Sequence, residues 1–163
     1  MRKGDNVDDL RRSFERFKSR IPTIAGTTAK NFFVDSWKLQ GFDDGKQIRK
    51  WKPRSSRSPR NSGRAILVDS GRLRRSIRIL KKSSASVTVG TTVPYGAAHN
   101  FGLRITTRAQ VRAHIRRTRR GPVPVRAHSR SVNLNIPRRQ FIGRSDKLNR
   151  QINEALLRAI NRL

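Results

Sequence analysis

Residues 67–102 read LVDSGRLRRSIRILKKSSASVTVGTTVPYGAAHNFG. Asp69 or Ser70 can cap a short helix, because a side-chain oxygen there accepts one of the amide hydrogens the first turn leaves over. Gly71 tolerates the tight entry. Leu73 and Ile77 are four apart and share a face, with Arg72, Arg74, Arg75 and Arg78 around them. Residues 77–82 and 86–91 then alternate as two antiparallel strands joined at 83–85, with Ile77, Ile79, Val87 and Val89 on one buried face. Gly90 predicts a bulge or a close backbone approach. Pro94 ends the second strand, and the small residues of YGAAHNFG suit a closely packed turn. This stretch is the folded centre, and two basic arms leave it, one on each side.

Before the centre, residues 1–5 are expected to fray, and Asn6 is placed to cap a helix with Asp8 and Asp9 in its first turn. Val7, Leu10, Phe14, Phe17, Ile21 and Ile24 recur at steps of three and four, which makes one apolar stripe on a helix and predicts core packing. Pro22 interrupts the stripe. It removes an internal hydrogen bond, so either the helix kinks or a second helix starts with Pro22 in its first turn. The pattern continues through Phe33, Val34 and Trp37 and stops by Gly41. Residues 41–64, GFDDGKQIRKWKPRSSRSPRNSGR, read as loop, with Trp51 as an anchor on the body. The basic part, about 50–64, spaces Arg54, Arg57, Arg60 and Arg64 among small residues, as a flexible linker or an arm that touches nucleic acid would.

After the centre, residues 104–135 form the second arm. Val111, Ala113 and Ile115 alternate with Arg112, His114 and Arg116, and Val123, Val125 and Ala127 with Pro124, Arg126 and His128. RRTRRGPVP lies between, with Gly121-Pro122 as its turn. This predicts a β-hairpin with one apolar and one basic face, Pro124 on an edge strand, and His114 facing His128. A basic helix over ITTRAQVRAHIRR is the rival, less favoured because both halves alternate and a turn separates them. IPRRQFIG then returns to the core through Pro137, Phe141 and Gly143. Ser145 caps a last helix with Asp146 in its first turn, and Leu148, Ile152, Leu156, Ala159 and Leu163 form its stripe, packed on the sheet beside the first helix. The expected fold class is α+β, in one domain over 1–163: N-terminal helices, a small antiparallel sheet, a long basic hairpin arm and a C-terminal helix.

The chain has 163 residues and a net charge of +29. Residues 45–145 hold 26 Lys or Arg and one acid, Asp69. The two ends together hold 13 basic and 9 acidic residues. Such a field selects a polyanion or an acidic protein surface as partner. The absence of cysteine excludes disulfides and thiolate metal sites. The opening MRKGDNVDDLRR lacks the apolar run of a signal peptide, and no window has the roughly 20 apolar residues of a membrane span. No internal repeat stands out.

No catalytic, metal or cofactor site is legible. His99, His114 and His128 lack metal-ligand spacing. Asp43 and Asp44 sit among lysine and glycine, which suits a turn better than acid–base work. There is no nucleophile elbow, P-loop or dinucleotide fingerprint. Nuclease chemistry needs several carboxylates around a metal or a convergent histidine set, and the middle of the chain has one acid.

Four segments in order resemble the phage virion morphogenesis, or tail completion, family of Mu-like and P2-like phages, and more distantly the neck proteins of long-tailed phages. GFDDGKQIRKW is similar to its Asp-Gly turn followed by tryptophan. LVDSGRLRRSI resembles its Leu-x-Asp-Thr/Ser-Gly-x-Leu-x-x-Ser-Ile motif, through Asp69, Gly71 and Leu73. VTVGTTVPYGAAHNFG resembles its Val-Gly-Thr strand and Tyr-Ala-x-x-His-x-x-Gly, through Tyr95, His99 and Gly102, with Gly96 in place of the usual alanine. IPRRQFIG resembles its Ile-Pro-x-Arg-x-Phe-Leu-Gly, through Pro137, Phe141 and Gly143.

The resemblance covers roughly residues 40–163. It implies a non-enzymatic virion protein without cofactors, assembled in the host cytoplasm as a homo-oligomeric ring at the head–tail joint or proximal tail end. Its partners would be neighbouring connector and tail proteins. The long basic arm and the high charge are additions to the family motifs. Arginines facing the lumen of such a ring would touch DNA phosphates without reading sequence, and arginines facing outward would grip acidic neighbours. The tip, Arg116, Arg117, Arg119 and Arg120, is the first candidate contact, and Arg54, Arg57, Arg60 and Arg64 the second. The alternative from composition is a stand-alone, sequence-nonspecific nucleic-acid-binding protein, which lacks a recognisable readout module here.

Overall fold

A computed structural model of the chain describes residues 3–54 and 63–162, with side chains from Val7 onward. Arg57, Arg60 and Leu163 lie outside the described residues. The architecture is α+β: a long N-terminal helix, four two-stranded antiparallel ladders and a C-terminal helix.

The helix α1 runs unbroken over Lys3–Leu39 with Pro22 inside it. Of the two expectations at Pro22, no second helix starts. Burial of Pro22 and of the turns after it offsets the lost hydrogen bond. Asn6 is not a cap, since the helix already begins at Lys3. The stripe predicted to pack in the core does so only from Phe17 onward. Val7, Leu10 and Phe14 are 65%, 62% and 43% exposed. From Ala29 the helix contributes Ala29, Phe32, Phe33 and Trp37 to the core.

Residues 41–64, expected as loop, contain a small hairpin: β1 (Gly41–Asp43) pairs with β2 (Ile48–Lys50). Its turn is built by the two aspartates. Asp43 Oδ1 accepts from Gly45 N, and Asp44 Oδ1 accepts from Lys46 N and Gln47 N, each at 2.9 Å. Trp51 is buried edge-on against Trp37, with ring centroids 5.6 Å apart, and its indole N–H donates to Gln140 O at 2.6 Å. It is the anchor the sequence predicts.

The central stretch folds as helix α2 (Arg72–Arg75), then β3 (Arg78–Lys82) paired with β4 (Val87–Gly90), then helix α3 (Gly96–Phe101). Of the two caps expected for α2, Ser70 contributes: its Oγ accepts from Arg72 N at 3.3 Å, with Gly71 at the cap position at φ 73°, while Asp69 turns away to pair with Arg64 at 2.5 Å. The β3–β4 register slips between Ile79 and Lys81. Gly90 is the close approach, since a Cβ there would sit 2.9 Å from Leu80 Cδ1. Gly26 is where α1 rests on this ladder, with Val87 and Ile79 side chains within 2.8 Å of where its Cβ would be.

The arm is a hairpin, not a helix. Strand β5 (Leu103–Val111) pairs with β8 (His128–Ile136), and β6 (His114–Thr118) with β7 (Gly121–Val125). The turn falls at Arg119-Arg120, and Gly121, with φ 114°, opens β7, so Gly121-Pro122 lies just beyond the turn expected there. Helix α4 (Asp146–Ile160) starts at Ser145, whose Oγ accepts from Leu148 N at 3.2 Å. It packs chiefly along α1 rather than on a sheet.

Candidate functional site

The family-motif residues converge because α3 and the 137–143 turn are tied together from inside. Asn100 is buried. Its Oδ1 accepts from Phe141 N and Ile142 N at 2.9 Å each, and its Nδ2 donates to Ile142 O at 3.1 Å. His99 O accepts from Arg139 N at 2.7 Å. These bonds place Phe141 against Trp37, 5.0 Å between centroids, where it is 1% exposed. Gly102, with φ 82°, turns the chain out of α3 into the arm. A side chain there would also crowd Arg138 N and Ile136 O at 3.1 and 3.3 Å. Gly143 packs under Gln140 and Phe42, and Pro137, at the start of the same turn, is half-buried. Asn100 is the functional-fold residue that sequence reasoning passed over. Its signal was a lone amide between two glycines, in a segment with no carboxylate to do its work.

One consequence is a cleft of about 450 Å³, lined by Asp69, Gly71, Leu73, Tyr95 and His99 from the motifs and by Arg54, Arg72 and Arg139. Tyr95 stands edge-on to His99, 6.0 Å between ring centroids, and is 42% exposed. His99 Nδ1 is buried without a hydrogen-bond partner, the one such atom among the described residues. Burial, and then the charge of Arg139, pulls the His99 pKa below its ordinary value. Both effects favour the neutral imidazole. Arg139 is buried and donates from Nε to Lys52 O at 2.9 Å and from Nη2 to Pro53 O at 3.1 Å. Burial first, and Arg54 second, lowers its pKa, yet a guanidinium stays protonated in proteins. The cleft is cationic and aromatic, and its one carboxylate, Asp69, is paired with Arg64. Among the described residues no group of three His, Cys, Asp or Glu could hold a metal ion, and no helix is long and apolar enough to cross a membrane.

Of the second candidate set, Arg54 donates from Nη2 to Ala65 O and Val68 O at 2.9 and 2.6 Å, which fastens the start of the central stretch. Arg64 is paired with Asp69. Asp43 and Asp44 serve the turn and more. Asp43 Oδ2 accepts from Lys147 Nζ at 2.8 Å, Asp44 pairs with Arg49 at 2.8 Å, and Asp44 O accepts from Asp146 N at 3.0 Å. The hairpin is thereby joined to the start of α4.

The first candidate set sits apart from the cleft. Arg116 and Arg117 lie in β6, opposite Val123 and Pro122, and Arg119 and Arg120 form the turn. All four are exposed, and no ion pair among the described residues involves an arm arginine. The register corrects two expectations about the arm. His114 lies opposite Val125 and His128 opposite Val111, so the histidines do not face each other. In the distal ladder Ile115 pairs with Pro124, whereas Val123 and Val125 pair with Arg116 and His114, so the apolar residues split between the two faces. The cause is the placement of the turn.

A short internal repeat also emerges. VRAH occurs at 111–114 and at 125–128, and the register sets the two copies antiparallel. In each, the imidazole Nδ1 lies against the carbonyl two residues earlier, 3.0 Å from Arg112 O and 2.9 Å from Arg126 O. Nδ1 must carry the proton to donate there. Strand pairing is interrupted between the copies, where that side-chain bond occupies the backbone.

No curated protein and no solved structure matches the chain. A model of the phage virion morphogenesis family matches residues 38–161, which takes in the hairpin turn, the cleft, the arm and α4. The four motifs and the match over most of the chain agree: the chain belongs to the phage virion morphogenesis family.

Proposed function

We propose that this protein is a structural, non-enzymatic subunit of the head–tail joint or proximal tail end, where copies close into a ring and the arm of each crosses to a neighbour. Membership of the family makes it a virion morphogenesis protein. The observation that carries the finer reading is the base of the arm. Cross-strand partners share a face, so Leu103 with Ile136, Ile105 with Leu134, and Thr107 with Val132 form one apolar face of the β5–β8 ribbon. Ile105 and Leu134 are 44% and 45% exposed. A two-stranded ribbon is marginal in water on its own and needs a surface to pack against. A ring neighbour supplies one, and a head-to-tail contact of this kind closes into a ring when its rotation allows.

The test is the mass of the purified protein by sedimentation velocity, at low and at high salt. A closed oligomer that survives high salt is expected, because the arm contact is partly apolar. A monomer at both salts that binds DNA with a steep salt dependence would overturn the ring and favour a stand-alone nucleic-acid binder.

A further inference from the structure

The same register that gathers the apolar residues on one face of the arm gathers a different chemistry on the other. Arg104 pairs with Asn135, Thr106 with Asn133, Arg108 with Ser131, and Gln110 with Ser129. All eight residues are exposed. The face has no carboxylate and no apolar side chain. Ser129 Oγ donates to Gln110 Oε1 at 2.7 Å, a bond internal to the face. Arg104 and Arg108 are four residues apart on an extended strand, about 13–14 Å, and neutral donors fill the space between them.

We propose that this face is a contact surface for the phosphate backbone of duplex DNA, bound without regard to sequence. The inference rests on the ring reading only for where the DNA runs, through the lumen that the opposite, apolar face helps to close. Three features select phosphate over an acidic protein. A protein interface needs an apolar centre from which water is excluded, and this face has none. Phosphate contacts need two ingredients, cations and neutral N–H or O–H donors, and the face consists of them. Arginines held on a paired strand present their forks in a fixed row, and guanidinium matches phosphate in a bidentate way. Phosphate contacts carry no sequence information, so no sequence is read through them.

The shaft of the arm thus carries a DNA contact besides whatever its tip touches. Face, rather than charge, is then the variable. Two single variants remove the same charge: Arg108→Ser and Arg130→Ser. Arg130 pairs with Ala109 on the opposite face. Binding to a fluorescent DNA duplex would be followed by anisotropy over a range of salt concentrations, and the oligomeric mass of each variant measured in parallel. The Arg108→Ser variant is expected to lower the slope of log K against log salt by about 0.9, for the one phosphate no longer neutralised. The Arg130→Ser variant is expected to leave the slope unchanged. An equal fall in both variants, no fall in either, or equally effective competition by polyglutamate would overturn the proposal. A monomeric mass with the face difference intact would instead sink the ring reading and leave the DNA face standing.

Discussion

Asn100 and Arg108 stand close in the chain and live in opposite circumstances. Asn100 is 5% exposed, and three hydrogen bonds use its amide to hold the 137–143 turn against α3. Arg108 is exposed on a two-stranded ribbon and faces Ser131. Apart from His99 Nδ1, the motif core pairs its polar groups internally: Asp43 with Lys147, Arg139 with two carbonyls, Trp51 with Gln140 O. The arm holds its arginines out to solvent, with no ion pair among the described residues. A buried polar group must be paired or it destabilises the fold, whereas an exposed cation costs little and is available to a partner. The core therefore reads as scaffold and the arm as contact, although both are rich in arginine.

The largest way to break this contrast is to cut the core. Phe141→Ala should cost about 3–5 kcal/mol, as a fully buried aromatic does when truncated. The same truncation at Ile105 in the arm should cost the isolated subunit far less, because that side chain is 44% exposed. Urea denaturation of both variants checks the pair. Similar midpoints would mean that the arm belongs to the cooperative unit of the core. Next comes Asn100→Ala. It strands the amides of Phe141 and Ile142 in the interior, and two unsatisfied donors should cost about 2–4 kcal/mol in the same assay.

The parts that were legible in the sequence are those fixed by local chemistry. The alternation around Ile79 and Val89, the Ser145 cap, the anchor role of Trp51 and the hairpin nature of the arm all follow from periodicity and residue type. Long-range geometry was less legible. The cap at Gly71 could not be separated from Asp69 and Ser70, because Asp69 is taken up by Arg64 instead. The turn at Arg119-Arg120 was hidden by the stronger Gly-Pro signal just after it, and that shift changed which arm residues share a face. At the cleft, motif resemblance named Asp69, Tyr95 and His99, but only the fold brought them together with Arg54 and Arg139. The Val7–Phe14 end of α1 has a core-like pattern yet stays exposed, which a stripe alone does not reveal.

A smaller effect sharpens the core side of the comparison. The hydrogen bond from Lys147 is the main cause holding the Asp43 pKa below its ordinary value, with burial opposing it and the Gly45 amide assisting. A carboxylate with a depressed folded pKa contributes stability above its unfolded pKa, about 3.9, and loses it as pH falls through the lower folded value. Lys147→Met should therefore be less stable than the natural protein near neutral pH, by on the order of 1 kcal/mol. The gap should close as the pH falls below about 4. Denaturation of both proteins across that range measures it. A gap that is constant with pH would show that Lys147 acts through packing, not through the carboxylate.

The smallest expected change in stability, and the most informative contrast with the core, is at the tip of the arm. Replacing Arg116, Arg117, Arg119 and Arg120 by serine removes four exposed cations that have no carboxylate partner among the described residues. Surface changes of this kind alter stability by about 0.5 kcal/mol or less each. Here relief of like-charge repulsion acts in the stabilising direction. The variant should unfold at or slightly above the natural midpoint and still fail in head–tail joining or assembly, scored as infectious particles from a complemented phage. Normal particles would make the tip a solvated end, and the contact would then lie on the shaft, at Arg104 and Arg108. A large drop in stability would mean that the tip is tied into the subunit, and the division between a self-satisfied core and an open arm would fail at the place where it is most exposed.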